Sequence, residues 1–379
     1  MKLHSATLIS FAMAQGLVES LVPIRTPLDS GRRGPRMAAG GHGTAESHAP
    51  SILIVDPAGS LGLKALASLG FQVTTMSDVR DEELERALPG YEAVVVRSAN
   101  RVTRQMMASN PRLAVVGRAG SGTDNIDLVA AAELGIPVVN APSGNARSVA
   151  ELVLGLMLSL ARKIPLAHGT MQRGEWAKKS LVGTSLGGKT LGIIGFGSIG
   201  QQVARLAVAF GMNVITSLRE GVSAASLGEG PKTGNNSYEV AAEVGVKWPP
   251  VQLDDLLTQS DFVTVHTPLS KQTRGLIGAR ELSLMKPSAF LINAARGGVV
   301  DERALLDCLQ KGGIGGAAMD VFCSEKAPLE DHVIDLCSLE QVVCTPHIGA
   351  STAEAGDLVL SEVCAAVAEV FVRTKRLSQ

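Results

Sequence analysis

Aromatic residues are scarce in this chain: they make up 3%, with 2 Trp and 2 Tyr. That argues against a protein that grips single-stranded nucleic acid by stacking bases on rings. Net charge is almost absent, −1 at pH 7, so no general pull toward nucleic acid or an anionic membrane is implied. Cysteine is present but unpatterned: Cys308, Cys323, Cys337, Cys344 and Cys364 are an odd number without CxxC spacing. This argues against a disulfide framework or a zinc site and for a reducing compartment, with the cytoplasm as the expected location. The seven His lack metal-ligand spacing as well, so no metal is expected. The longest apolar stretch, LVLGLMLSLA from Leu152, is too short to span a bilayer.

What remains is aliphatic. Hydrophobic residues make up 45%, with 41 Gly, a composition that suits buried parallel sheets with close turns. A length of 379 residues suggests two domains, because single cores rarely grow beyond about 250–300 residues. Short apolar runs alternate with helical patterns from SILIVDPAG onward: FQVTTM, YEAVVVRSAN, LAVVGRAGSGTDNIDL and IPVVNAPSGN read as strands. Such alternation is the signature of parallel βαβ packing. A long helix is predicted over Ala146–Leu160, apolar around most of its surface and so buried on more than one face. The pattern then restarts with LGIIGFGSIG and runs through NVITSL, DFVTVHTP, AFLINAARGG and GGAAMDVF. A last helix is predicted to about Arg373. The α/β arrangement is therefore a two-domain one: a substrate domain over 49–144 and 345–379, with a cofactor domain inserted at 145–344. The stretch Glu220–Pro250 is rich in Gly, Ser and Asn, and mobility is expected from Gly221 to Ser237. Residues 1–48 have little periodicity and are expected to be a disordered tail. Arg32, Arg33 and Arg36 leave open a transit peptide over 1–36, for plastid or mitochondrion, against which Glu19 and Asp29 count. A start at Met37 is a third reading.

GFGSIG places Gly195, Gly197 and Gly200 between a strand and a helical stretch, the context a dinucleotide-binding turn requires. The first Gly permits the tight turn, the second lets a pyrophosphate approach, and the third lets helix and strand pack. The N–H groups of Ser198 and Ile199 are expected to face the phosphates at the helix N-terminus. An acid is expected at the end of the next strand to hold the ribose 2′-hydroxyl, but Leu218 stands there, beside Arg219. Leu does not reject a 2′-phosphate and an Arg can accommodate one. The cofactor is thus NAD or NADP, with a lean toward NADP or relaxed use; Arg219 as a plain solvated residue is the competing reading.

The segments RAGSGTDNIDL, NARSVAEL, GKTLGIIGFGSIG, FVTVHTPL, LINAARGGVVDERAL, AMDVF and CTPHIGAST occur in that order. Together they resemble the D-2-hydroxyacid dehydrogenase family over about residues 50–373, most of all the branch that acts on 3-phosphoglycerate. The resemblance implies a flavodoxin-like substrate domain with an inserted Rossmann-type NAD(P)-binding domain. It implies a small anionic 2-hydroxy or 2-oxo acid as substrate, and a homodimer or homotetramer built around the long helix. The competing reading is a helix buried within one monomer.

The resemblance also implies the site. His347 resembles the acid/base, a role that suits an imidazole near neutral pH. Glu325 resembles the partner that holds the imidazolium. Its surroundings depart from the family's Glu-Glu-Pro, with Ser324 before it and Lys326 after it, so Lys326 can compete for it and Glu330 is the alternative carboxylate. Arg296 resembles the ligand of the substrate carboxylate and carbonyl, for which its planar fork is suited. The cofactor set implied is Ser121, the glycine loop, Leu218, Arg219, His266, Thr267, Pro268, Ala294, Ala295, Arg296, Asp320, His347, Gly349 and Ala350, with Asp320 toward the nicotinamide carboxamide. For the substrate, backbone N–H groups of Gly120, Ser121 and Gly122 can cradle an anion. Arg97 and Ser98 follow a strand where α/β folds place ligands. Arg97 and Arg101 are phosphate candidates, Arg101 more readily a solvated charge. Two rivals stand beside the 3-phosphoglycerate reading: a glyoxylate or hydroxypyruvate reductase, which Leu218–Arg219 favours, and a non-catalytic NAD(H)-sensing co-repressor-like protein. Long family members carry serine-binding C-terminal domains; with the chain ending soon after Arg373, none is expected.

Overall fold

The computed structural model describes residues 49–217 and 237–377. The expectations for residues 1–48, for Leu218 and Arg219 and for most of the 221–237 loop lie outside the described residues. Contacts divide the chain into one unit up to Asn145 and from Thr352 onward, and a second over Ala146–Ser351. Residues 345–351, assigned above to the substrate domain, thus stand with the second unit. The reason is local: Thr345 N–H donates to the Met319 carbonyl at 2.9 Å and His347 N–H to the Asp320 carbonyl at 2.7 Å.

The first unit holds five parallel strands, β1 (Ser51–Val55), β2 (Gln72–Met76), β3 (Ala93–Val96), β4 (Val115–Arg118) and β5 (Val138–Asn140). Their order is β2-β1-β3-β4-β5, the flavodoxin-like order. Every residue of β1 and β3 is buried, as expected of central strands covered on both faces. One cover is the C-terminal helix Ala353–Leu377, whose Leu360, Val363 and Val367 pack on Ile52, Val95 and Val115. Thr103 caps the helix Arg104–Ala108, its hydroxyl accepting from Met106 N–H at 3.3 Å, a typical N-cap exchange.

The second unit has six parallel strands, β6 (Thr190–Ile194), β7 (Asn213–Thr216), β8 (Phe262–Val265), β9 (Phe290–Asn293), β10 (Gly316–Met319) and β11 (Val342–Cys344). Their order is β11-β10-β9-β8-β6-β7. Val251 adds a parallel bridge to Ser217 just beyond β7, which extends that edge in the manner of a doubly wound dinucleotide-binding sheet. The expected long helix spans Ala146–Ala161 and buries Val149, Val153, Leu156, Met157 and Leu160. These residues join Leu191, Ile193 and Val203 in the core of this unit, so much of the helix's apolar surface is covered within its own unit. Each such fully buried aliphatic side chain contributes about 1.5–3 kcal/mol.

Candidate active site

In the second unit the glycine loop follows β6 directly. Gly195 adopts φ +99, a left-handed conformation that favours glycine, and a Cβ there would lie 2.7 Å from the His266 carbonyl oxygen. A Cβ on Gly200 would collide with the Gly195 carbonyl, whereas Gly197 has open space where one would sit. The helix Ser198–Ala209 begins at Gly197 with no side chain capping it, so its positive end faces out of the loop, as an anion site requires. Ile199 lies in that first turn, half-buried.

Behind the loop, β8 leads into His266-Thr267-Pro268. His266 Nε2 lies 2.9 Å from the Thr264 hydroxyl. Its Nδ1 and the Thr267 hydroxyl are buried and have no hydrogen-bond partner among the described residues. Burial pulls the His266 imidazole down to about 3, so the ring is neutral at physiological pH. Buried polar atoms left unpaired are costly. Two of them beside a glycine turn with open space at Gly197 fit a bound dinucleotide.

β9 leads into Ala294, Ala295 and Arg296, the two alanines buried. Asn293 fixes this turn: its Oδ1 accepts from Ala295 N–H at 3.1 Å and its Nδ2 donates to the Arg296 carbonyl at 3.2 Å. Arg296 Nη1 donates to the Ala295 carbonyl at 2.7 Å. β10 is followed directly by Asp320, which is 1% exposed. Its carboxylate accepts from the Thr345 hydroxyl at 2.6 Å, from Ile348 N–H at 2.9 Å and from Gly349 N–H at 2.9 Å. Asp320 therefore fixes the loop that carries His347, and the Gly349 N–H is already engaged. Of its roughly four lone-pair sites, these bonds occupy most. Ala350 follows, half-buried.

His347 sits at φ +55, uncommon for a residue with a side chain and enriched among His, Asn and Asp. Its Nδ1 lies 2.8 Å from Glu325 Oε2. The carboxylate accepts only, so Nδ1 is the donor in this contact, and in the neutral ring Nε2 is the nitrogen left with a lone pair. Burial alone would raise the Glu325 carboxyl. The hydrogen bond and charge of His347, the Phe322 N–H and the Arg296 charge outweigh it and hold the carboxyl below its ordinary value. Among the described residues Glu325 makes no ion pair with Lys326, which is exposed. The alternative carboxylate, Glu330, lies elsewhere, 3.4 Å from His332 and 3.9 Å from Arg303.

The first unit gathers its own set at the C-terminal edge of its sheet. Val96 and Arg118 are register partners on β3 and β4, which places Arg97 and Ser98 beside Arg118. Asn125 braces the segment after β3 by donating to the Arg97 carbonyl at 2.7 Å and the Asn100 carbonyl at 2.6 Å. Arg101 is exposed, its N–H held by Asp81 at 3.0 Å. The glycine-rich loop differs from expectation at one atom: Gly120, at φ +147, turns its N–H onto the Arg118 carbonyl at 2.8 Å. That group is not available to an anion nest, which leaves Ser121 and Gly122. Asn140 fixes Ser121 by donating to its carbonyl at 2.6 Å. Arg118 was not singled out in the sequence, although its guanidinium occupies the space where a Gly120 side chain would be. Its position as the last residue of a buried strand, directly before a glycine loop, is the signal that marks it.

Among the described residues no cluster of His, Cys, Asp and Glu is placed to hold a metal ion, and no helix is long and apolar enough to cross a membrane. Residues 154–349 match the family described as D-isomer specific 2-hydroxyacid dehydrogenase, NAD binding domain. The sequence is 44% identical over 307 residues to a D-3-phosphoglycerate dehydrogenase of Methanocaldococcus jannaschii, covering 80% of this chain and 54% of that protein. It is 42% identical over 282 residues to a hydroxypyruvate reductase of Thermotoga maritima, covering 74% of this chain and 85% of that protein. The fold is similar to that of a D-lactate dehydrogenase of Aquifex aeolicus complexed with NAD and lactic acid, with a TM-score of 0.70, 26% identity and coverage of 85% and 96%. The chain spans about half the length of the D-3-phosphoglycerate dehydrogenase it matches.

Proposed function

The chain belongs to the D-isomer specific 2-hydroxyacid dehydrogenase family, and on that premise we propose that it is a D-3-phosphoglycerate dehydrogenase, oxidising 3-phosphoglycerate to 3-phosphohydroxypyruvate at the entry to serine synthesis. The observation that carries the reading is the 2.8 Å contact of His347 Nδ1 with Glu325, in the unit that also holds the Arg296 turn and the glycine loop. Nε2 of His347 accepts the hydroxyl proton of the substrate. Glu325 keeps the imidazole in the productive tautomer and stabilises the imidazolium that forms. Arg296 orients the substrate carboxylate and polarises the forming carbonyl. The nicotinamide, when bound, supplies the hydride acceptor. The glycine loop, His266 and Thr267 are the groups that hold the dinucleotide, and Asp320 positions the loop bearing His347. In the first unit, Arg97, Ser98, Arg118 and the Ser121–Gly122 loop gather donors of the kind that suit an anion.

A second reading, reduction of hydroxypyruvate, is favoured by Leu218, which leaves a 2′-phosphate unopposed. Initial rates with 3-phosphoglycerate, hydroxypyruvate and glyoxylate, each with the NAD and NADP forms, separate the two. The first reading expects 3-phosphoglycerate to show the highest kcat/KM in oxidation; a preference for unphosphorylated hydroxypyruvate with NADPH would replace it. Turnover with none of these acids would favour a nucleotide-binding protein without catalysis. Self-association is part of the proposal: Ile164, Met171, Trp176 and Val182 expose large apolar surface along one segment of the second unit, the kind of patch that another copy covers. The cytosol is the proposed compartment, in keeping with five unpaired cysteines.

A further inference from the structure

A second histidine–glutamate pair lies in the same unit, and nothing in the proposed chemistry uses it. Glu302 opens the helix Glu302–Gln310 but does not cap it. That task belongs to Asp301, whose side chain accepts from Arg303 N–H at 3.1 Å and Ala304 N–H at 3.0 Å. Glu302 instead turns inward and is 4% exposed. One oxygen accepts from the Cys323 backbone N–H at 2.6 Å; the other lies 2.9 Å from His332 Nε2. Burial first, and the nearby Glu302 carboxylate next, push the Cys323 thiol up to about 11. His332 is buried in the first turn of the helix Asp331–Ser338, with Nδ1 3.4 Å from Glu330.

A buried carboxylate is costly unless its hydrogen bonds are met. The bonds of Glu302 go to both ends of one segment. Cys323 stands two residues before Glu325, and Glu330 and His332 stand where the segment re-enters a helix. The same backbone is pressed from the other side: a Cβ on Gly297, next to Arg296, would lie 2.6 Å from Cys323 N and would collide with the Phe322 carbonyl. The Arg296 turn and the Glu325 segment therefore share one wall, and Glu302 is the side chain that pins it.

We infer that Glu302 and His332 are positioning residues, which hold Glu325 in reach of His347 and in register with Arg296. The inference rests on the acid/base reading of Glu325 and His347. A misplacement of an orienting group by about 1 Å can lower turnover on the order of 10²-fold.

The test is a double-mutant cycle in the full chain, with rates expressed per NAD(H)-binding site so that unfolded protein does not count. Glu302→Ala should lower kcat on the order of 10²-fold with KM and nucleotide Kd little changed. Glu302→Gln keeps an acceptor for Cys323 and a donor toward His332, and should restore most of that loss. In a Glu325→Gln background, Glu302→Ala should cost little more, because the group it positions is already gone. Full additivity in that background, or a Glu302→Ala kcat per site equal to wild type, overturns the inference while leaving the acid/base reading intact. A Glu325→Gln enzyme with wild-type kcat removes the role of Glu325 itself, and the inference with it.

Discussion

The molecule holds two histidine–glutamate contacts of nearly the same length in opposite surroundings. In the pair His347–Glu325, at 2.8 Å, the side chains are 37% and 42% exposed; in His332–Glu302, at 2.9 Å, they are 9% and 2% exposed. The open pair leaves one imidazole nitrogen facing outward, in a loop whose backbone is held by Asp320. The closed pair has no such face, and its carboxylate is bonded to the Cys323 N–H and to His332 of the neighbouring segment. Distance alone does not separate a reacting pair from a bracing one; access and the identity of the remaining partners do.

The comparison can be broken by removing one member at a time. The largest effect is expected for His347→Ala: kcat should fall about 10²–10⁴-fold, with nucleotide binding nearly intact by fluorescence titration. Turnover that survives would place the proton transfer elsewhere. Next comes His332→Ala, which leaves Glu302 buried without its partner. Loss of one member of a buried pair costs about 3–5 kcal/mol, to be read by denaturant unfolding. The open pair should behave differently. Glu325→Gln should change stability by less than about 1 kcal/mol, as is usual for exposed pairs, even as it lowers kcat. Equal destabilisation by the two replacements would erase the distinction.

A carboxylate of the first unit sharpens the contrast from the middle. Glu92, with a side chain 17% exposed, accepts from Ser51 N–H at 2.7 Å and also bonds the Ser51 hydroxyl and Arg112. Burial would raise its carboxyl, but the Ser51 hydrogen bonds and Arg112 bring it from 4.5 down to about 2. A depressed folded-state value means stability that is present above about 4.5 and lost as pH falls toward about 2. Glu92→Gln should cost about 1 kcal/mol at pH 7, by urea unfolding, and the gap to wild type should close on acidification. A gap that persists at pH 2 would mean that packing, not charge, is what the replacement removes.

Much of this was legible in the chain. Ile52–Val55 of β1 and the whole of β3 are unbroken apolar runs, which is what burial on both faces demands, and the glycine loop stands between strand and helix where dinucleotide turns occur. The altered setting of Glu325 left Glu330 and Lys326 as competitors in the sequence. Only the fold separates them, because Glu330 is drawn to His332 and Arg303. The anion nest lost its first donor because Gly120 turns back onto its own strand. Glu302 and His332 gave no signal at all: thirty positions separate them, and a Glu in the first turn of a helix ordinarily faces water.

By itself, then, the sequence supplied Arg296, Glu325 and His347 as candidates through its family resemblance, and its patterning determined the alternation of strands and helices and the dinucleotide turn. These depend on local patterns of polarity and on short-range backbone geometry, which the order of residues encodes directly. Only the tertiary structure decided which carboxylate meets His347, which loop Asp320 holds and which glutamate is buried to brace the segment between. Those outcomes depend on which distant residues share a wall, and no local pattern carries that information.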